Sequence, residues 1–253
     1  MKGHLLKILC IDIETTPNLA HVWGLWEQNI GLTQLREATT MMCFAAKWVG
    51  EKNVFFYSTY KNGQEEMVRK AYELLNEADV VMHYNGKRFD VPHLNREFLN
   101  QGLTPPAPFK QIDLMQVVKK QFKFPSYKLD YVSKYLGLGG KTKHAGHQLW
   151  VDCMNGVPSA WTKMKTYNKQ DVRLLEQMYE FLRPWITTHP NYTLHNDVNP
   201  EADSCPVCGS QELKPQGFAY TQMGKYQRYQ CASCGKWSRS SKRAGFVSIR
   251  EVQ

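Results

Sequence analysis

Five side chains carry the chemistry this sequence offers: Asp12, Glu14, Asp90, Tyr167 and Asp171. Asp12 and Glu14 interrupt an apolar run, Lys7-Ile-Leu-Cys-Ile-Asp-Ile-Glu-Thr15, that otherwise reads as a buried strand. A strand alternates its side chains, so the two acids share one face while Leu9, Ile11 and Ile13 take the other. Two carboxylates side by side in a core repel, and desolvation adds to the cost. A hard divalent cation held between them by oxygen ligands makes the arrangement tolerable. Asp171 falls on the apolar stripe of a helix whose inward positions run Met164, Tyr167, Asp171, Leu174 and Leu175, Met178 and Leu182, where an acid is unexpected unless it binds something. Tyr167, four residues earlier, lies on the same face one turn before it. Asp90, in Asn85-Gly-Lys-Arg-Phe89-Asp90-Val-Pro92, follows a strand and opens a helix; there it reads as an N-cap, and a ligand role is compatible with that.

A second ligand set sits near the C-terminus. Cys205-Pro-Val-Cys208-Gly and Cys231-Ala-Ser-Cys234-Gly are two knuckles with 22 residues between them. Four thiolates in such turns suit one tetrahedral structural Zn²⁺, and a redox role for one pair is the weaker alternative. About 50 residues bury little core, so the metal is expected to supply most of the folding free energy of this zinc ribbon. From residue 204 on, eight basic residues (Lys214, Lys225, Arg228, Lys236, Arg239, Lys242, Arg243 and Arg250) interleave with aromatics, a composition that suits nucleic acid, with docking of a protein partner as the bland alternative. Cys10, Cys43 and Cys153 stand alone and read as packing residues.

The elements that position these residues follow from periodicity. Strands are expected over 5–15, 42–49, 53–59 and 80–84 and near Ile112, and helices over 64–77, 91–100, 129–136 and 160–183. A hairpin set followed by strands alternating with helices argues an α/β fold with a mixed sheet flanked by helices. The polar stretch 191–203 reads as a linker between a domain of residues 1–190 and the ribbon, 204–253. The loop from Pro17 to Thr40, with Trp23 and Trp26, has no assignable pattern. A net charge of +9 favours a polyanionic partner. No 18-residue apolar run and no signal-peptide core are present, and the cysteine usage fits a reducing cytosol, so a cytoplasmic location is expected. The basic stretch Gly139–His147, with Lys141 and Lys143, is expected to line a strand channel.

In combination the motifs resemble a known family. Asp12-Ile-Glu14-Thr, Asn85-x-x-x-Phe89-Asp90-Val-Pro and Tyr167-x-x-x-Asp171-Val are similar to the three motifs of the DEDD 3′–5′ exonucleases in their tyrosine-bearing (DEDDy) branch. The second and third look most like the proofreading domain of family B DNA polymerases, as does Lys128-Leu-Asp-Tyr-Val-x-x-Tyr-Leu-Gly137. The resemblance covers about residues 5–185 and implies a ribonuclease H-like fold and a stand-alone exonuclease of bacterial or phage origin. It implies two Mg²⁺ or Mn²⁺ ions roughly 4 Å apart. Asp12, Glu14 and Asp171 would hold the one that activates water, Asp12 would bridge to the second, and Asp90 would help hold that second ion. Tyr167, with a hydroxyl pKa of about 10, would orient the attacking water. Thr15, Asn85 and Phe89 would meet the terminal nucleotides. The expected reaction is hydrolysis of single-stranded DNA to 5′-mononucleotides. RNA trimming, structure-specific endonuclease action and a catalytically silent nucleic-acid-binding module remain open alternatives.

Overall fold

A computed structural model describes residues 6–140, 146–195 and 203–249. Lys7–Met178 forms one compact unit, and the described residues from Tyr179 onward belong to a second. The elements of the first unit are, in chain order, β1 (Ile8–Thr15), β2 (Leu19–Ala20), β3 (Leu35–Glu37), β4 (Met41–Trp48), β5 (Phe55–Ser58), α1 (Thr59–Asn62), α2 (Gln64–Glu77), β6 (Val80–His83), α3 (Asp90–Asn100), β7 (Lys110–Asp113), α4 (Leu114–Gln121), α5 (Leu129–Tyr135), α6 (His147–Met154) and α7 (Pro158–Leu182). Five strands form the expected mixed sheet in the order β5-β4-β1-β6-β7. β4 runs antiparallel to β1 and β5, while β6 runs parallel to β1 and β7.

Alternation along β1 sorts its side chains as the sequence demands. On one face Leu9, Ile11 and Ile13, with Phe44 and Val81, pack against the apolar stripe of α2 (Met67, Ala71, Leu74, Leu75) and against Leu94 and Phe98 of α3. On the other face Asp12 and Glu14 stand opposite small residues of β4, Ala45 and Cys43. Cys43 and Met42 there meet Leu149 and Cys153 of α6 and Trp161, Met164 and Tyr167 of α7. α7 opens on Pro158, whose fixed φ suits a first helical residue. It is fastened to the sheet further along, where Lys47 Nζ lies 2.7 Å from Glu176 Oε2 and Glu176 Oε1 accepts the Gly50 N–H.

Three departures from expectation have physical causes. α6 is eight residues long and shows only Leu149 and Cys153 buried, too few apolar positions to display a period. The unassigned 17–40 stretch contains the short antiparallel pair β2–β3, and its tryptophans face solvent, Trp23 being 97% and Trp26 84% exposed. α1 is a single turn capped by the Ser58 side chain.

In the second unit, β8 (Leu213–Tyr220), β9 (Gly224–Cys231) and β10 (Trp237–Phe246) form an antiparallel sheet in the order β10-β9-β8. Its buried cluster is little more than the knuckles: Cys205, Val207 and Cys231, with Cys208, Leu213 and Cys234 against them. The residues after Tyr179 pack here as well. Lys236 Nζ donates to the carbonyls of Pro184 and Ile186, and the Tyr192 N–H donates to Pro206 O. The stretch expected to be a linker thus includes a short 3-10 turn, Tyr192–Leu194, and its residues 196–202 lie outside the described residues. Among the described residues no helix is long and apolar enough to cross a membrane.

Candidate active site and metal-ligand clusters

The structure brings Asp12, Glu14 and Asp171 together, with one carboxylate oxygen from each within 4.8 Å of the others. β1 presents the first two and α7 the third, and Asp171 is almost fully buried, at 1% exposure. Three converging carboxylates in so closed a setting fit a hard divalent cation that takes oxygen ligands, in keeping with the chemistry of the donor set. The acids also act on their surroundings. Burial first, and then the charges of Glu14 and Asp12, raise the pKa of the Cys43 thiol and keep it protonated. Cys43 is therefore a neutral wall of the site.

Tyr167 lies one turn before Asp171 and is buried, with its ring edge-on to Trp150 of α6 at 6.1 Å between centroids. Asp90 is not part of the three-carboxylate group. α3 begins at Asp90 itself with Phe89 at the N-cap, so the expected capping role for Asp90 is corrected: its Oδ1 instead accepts the N–H of Ile13 at 3.0 Å. Ile13 lies past the last pair of the β1–β6 ladder, Cys10 with Met82, so its donor needs another acceptor and the side chain supplies one. A carboxylate in the first turn of a helix also faces the positive end of the helix dipole.

The turn that delivers Asp90 is tightly built. Asn85 has φ of +67°, a left-handed conformation that Asn tolerates, and its N–H donates to Asp113 Oδ1 at 2.9 Å. A Cβ at Gly86 would come within 2.4 Å of the His83 ring and 2.8 Å of Asp90 Oδ2, so only glycine fits. His83 is fully buried beneath it, with Nε2 3.0 Å from Gln111 Oε1 and Nδ1 3.7 Å from Asp113 Oδ2. Burial lowers the His83 pKa against the opposing pull of Asp113, which keeps the ring neutral. Phe89 is 39% exposed beside Asp90, with its edge on His93. Thr15 follows a bulge at the end of β1. Lys141 and Lys143 lie outside the described residues.

Sequence reasoning passed over several residues. Asn168 is fully buried and its Nδ2 donates to Asp12 Oδ2 at 2.7 Å, which fixes the rotamer of that carboxylate. Its place beside Tyr167 and three residues before Asp171 was the available signal. Trp150, Lys47, His83 and Asp113 were also missed. An open groove beside α5, lined by Tyr84, Met115, Lys119, Tyr127, Lys128, Leu129 and Asp130, places two lysines and one acid among aromatic rings, with Lys119 Nζ 5.8 Å from the Tyr127 ring centroid.

The four knuckle cysteines also converge. Cys205 Sγ lies 3.6 Å from Cys234 Sγ, and Cys208 Sγ 3.7 Å from Cys231 Sγ. Thiolates at about 2.3 Å from a tetrahedral Zn²⁺ are separated by about 3.8 Å, so the set fits that ion. Both knuckles close the same way. The N–H of Gly209 donates to Cys205 O and that of Gly235 to Cys231 O, each at 2.9 Å, and both glycines take positive φ, +75° and +78°. Burial opposes ionisation at Cys231, but hydrogen bonds from the backbone of Cys234 and Ser233 outweigh it and bring the thiol down to about 7.

Comparison with known proteins adds a family to this geometry. A family model described as the RNase H superfamily matches residues 9–183. Among solved structures, the family B DNA polymerase from the hyperthermophilic archaeon Pyrobaculum calidifontis is similar, with a TM-score of 0.54 and 18% identity over 71% of this chain. The match spans 25% of the polymerase's length, and at that identity it speaks for the fold alone. No curated protein matches the chain.

Proposed function

The chain belongs to the ribonuclease H superfamily, and from that premise we propose that it is a metal-dependent nuclease that removes 5′-mononucleotides from the 3′ end of single-stranded DNA. The observation that carries this reading is the convergence of Asp12, Glu14 and Asp171 between β1 and α7. These three carboxylates would hold divalent cations, Mg²⁺ or Mn²⁺, with Asp90 completing the acidic set from the start of α3. Such cations, when bound, would lower the pKa of water and offset negative charge on the attacking and leaving oxygens.

The chain's own residues do the rest. The Tyr167 hydroxyl orients the attacking water, whose oxygen forms a bond to phosphorus as the bond from phosphorus to the 3′ oxygen breaks. That 3′ oxygen takes up a proton, and the terminal nucleotide departs with its 5′ phosphate. Asn168 keeps Asp12 in its ligating rotamer. Phe89 and Asn85 at the α3 turn, and Thr15 at the end of β1, would meet the last nucleotides. The groove of Tyr84, Tyr127, Lys119 and Lys128 supports a single-stranded substrate, since rings stack on splayed bases and lysines meet phosphates. The four cysteines would hold a structural zinc.

The test uses purified protein with Mg²⁺ or Mn²⁺ on 5′-labelled single-stranded DNA, duplex DNA and RNA. A descending ladder from the single strand, absent in Asp12→Ala, is expected. Release of the labelled nucleotide as the first product would reverse the polarity. A ladder from RNA alone would change the substrate.

A further inference from the structure

One face of the C-terminal sheet is unused by the proposed cleavage. Register places Arg239 opposite Arg228, Arg243 opposite Tyr226, and Trp237 opposite Gln230, with Lys214 opposite Gln230 on the other side. Directly paired residues share a face, as do alternate residues of β9, so Lys214, Arg228, Tyr226, Trp237, Arg239 and Arg243 all lie on one side. The guanidinium carbon of Arg228 lies 5.0 Å from the Trp237 ring centroid, and that of Arg239 lies 4.2 Å from the Tyr226 ring. The four cations and Trp237 are exposed.

This arrangement costs the protein stability and returns no core. Arg228 and Arg239 are like charges directly across a strand pair, a destabilising juxtaposition. No carboxylate pairs with Arg228, Arg239 or Arg243 among the described residues. The only acids in 203–249 are Asp203 and Glu212. Asp203 accepts from Tyr229, which belongs to the opposite face. Four cations with no acid among them call for a partner that carries anions at close, regular spacing. A single-stranded nucleic acid supplies both things this face lacks: anions spaced along a chain, and flat bases.

We propose that this face is a platform for single-stranded nucleic acid, with Arg228, Arg239 and Arg243 meeting phosphates while Trp237 and Tyr226 stack on bases. The platform stands independently of the cleavage reading, because none of its residues belongs to the carboxylate site.

The test is performed on the full chain carrying Asp12→Ala, with fluorescein-labelled oligothymidylate of about thirty nucleotides, longer than the roughly 4–16 that such a surface occupies. Replacing Arg228, Arg239 and Arg243 together by Gln should weaken binding at least about tenfold. It should also make the log–log salt dependence shallower by roughly 2, at about 0.7 per phosphate contact. Replacing the same three by Lys should keep the slope, and Trp237→Ala should weaken binding without changing it. Equal affinity and slope for the Gln variant and its parent would overturn the platform and leave the face to a protein partner. A Lys variant that loses the slope as the Gln variant does would overturn it too, since the effect would then be unfolding. Restoring Asp12 in the Gln variant and assaying cleavage of short oligonucleotides reads the nuclease site separately. Failure there with binding as expected counts against the cleavage reading alone.

Discussion

The carboxylate cluster and the cysteine cluster stand in opposite relations to the structure around them. Asp12 and Glu14 come from the C-terminal half of a strand and Asp171 from the middle of a long helix, and a sheet with helices on both faces holds them in place. The cysteines come from two turns, and the buried cluster around them is largely themselves. In the first unit the fold determines where the ligands go and imposes repulsion on them. In the second the ligands are most of what is buried, so the fold is expected to depend on them. Ligand removal should therefore cost chemistry in one unit and structure in the other.

The sharpest break of that contrast is Cys231→Ser. Apparent zinc-binding free energies in small domains are about 10 kcal/mol or more, so this change should abolish hydrogen-exchange protection in β8–β10 while β1, β4 and α7 stay protected. Retained protection in β9 would show that the ribbon folds on its own core. Asp12→Ala should lower cleavage by more than about 1000-fold, roughly 4 kcal/mol, yet leave the melting temperature equal or higher, because it removes one of three converging carboxylates. A large drop in melting temperature would mean that the acids are structural. Tyr167→Phe keeps the ring against Trp150 and removes only the hydroxyl; kcat should fall by about 10- to 1000-fold with little change in KM. An unchanged kcat would assign Tyr167 to packing.

The smallest effect concerns His83. Its folded pKa lies below the unfolded value of about 6.5, so the unfolded chain binds the extra proton more readily. The stability this neutral ring contributes is present above about pH 6.5 and is lost as the pH falls toward the folded pKa. Urea midpoints of the first unit at several pH values should decline more steeply on acidification in the parent than in His83→Gln. Parallel profiles would remove His83 from the account.

Most of the architecture was readable because it rests on periodicity. α2 matched its expected span of 64–77, and every expected position on the inward stripe of α7 is buried. Asp12, Glu14 and Asp171, which the structure brings together, stood out because each is polar on an otherwise apolar strand or helix stripe. Partnerships between remote polar residues were not readable. Nothing local to Lys47 announces Glu176, and nothing local to Asp12 announces Asn168. The N-cap expected at Asp90 failed for the same reason: the competing acceptor demand came from Ile13, which no window around Asp90 contains.

That bond from Ile13 to Asp90 has a mechanical consequence. Ile13 is the residue between Asp12 and Glu14, so the turn that carries Asp90 is stitched to the very segment that carries the other two acids. The spacing of Asp90 from Asp12 cannot change without breaking this bond or bending β1 against its antiparallel neighbour. α7 is tied to the same segment, because Asn168 Nδ2 donates to both the Asp12 carbonyl and Asp12 Oδ2. β1 is thus gripped at two consecutive residues, Asp12 from the helix and Ile13 from the α3 turn, so both elements that bring further acids are referred to the same short stretch of backbone.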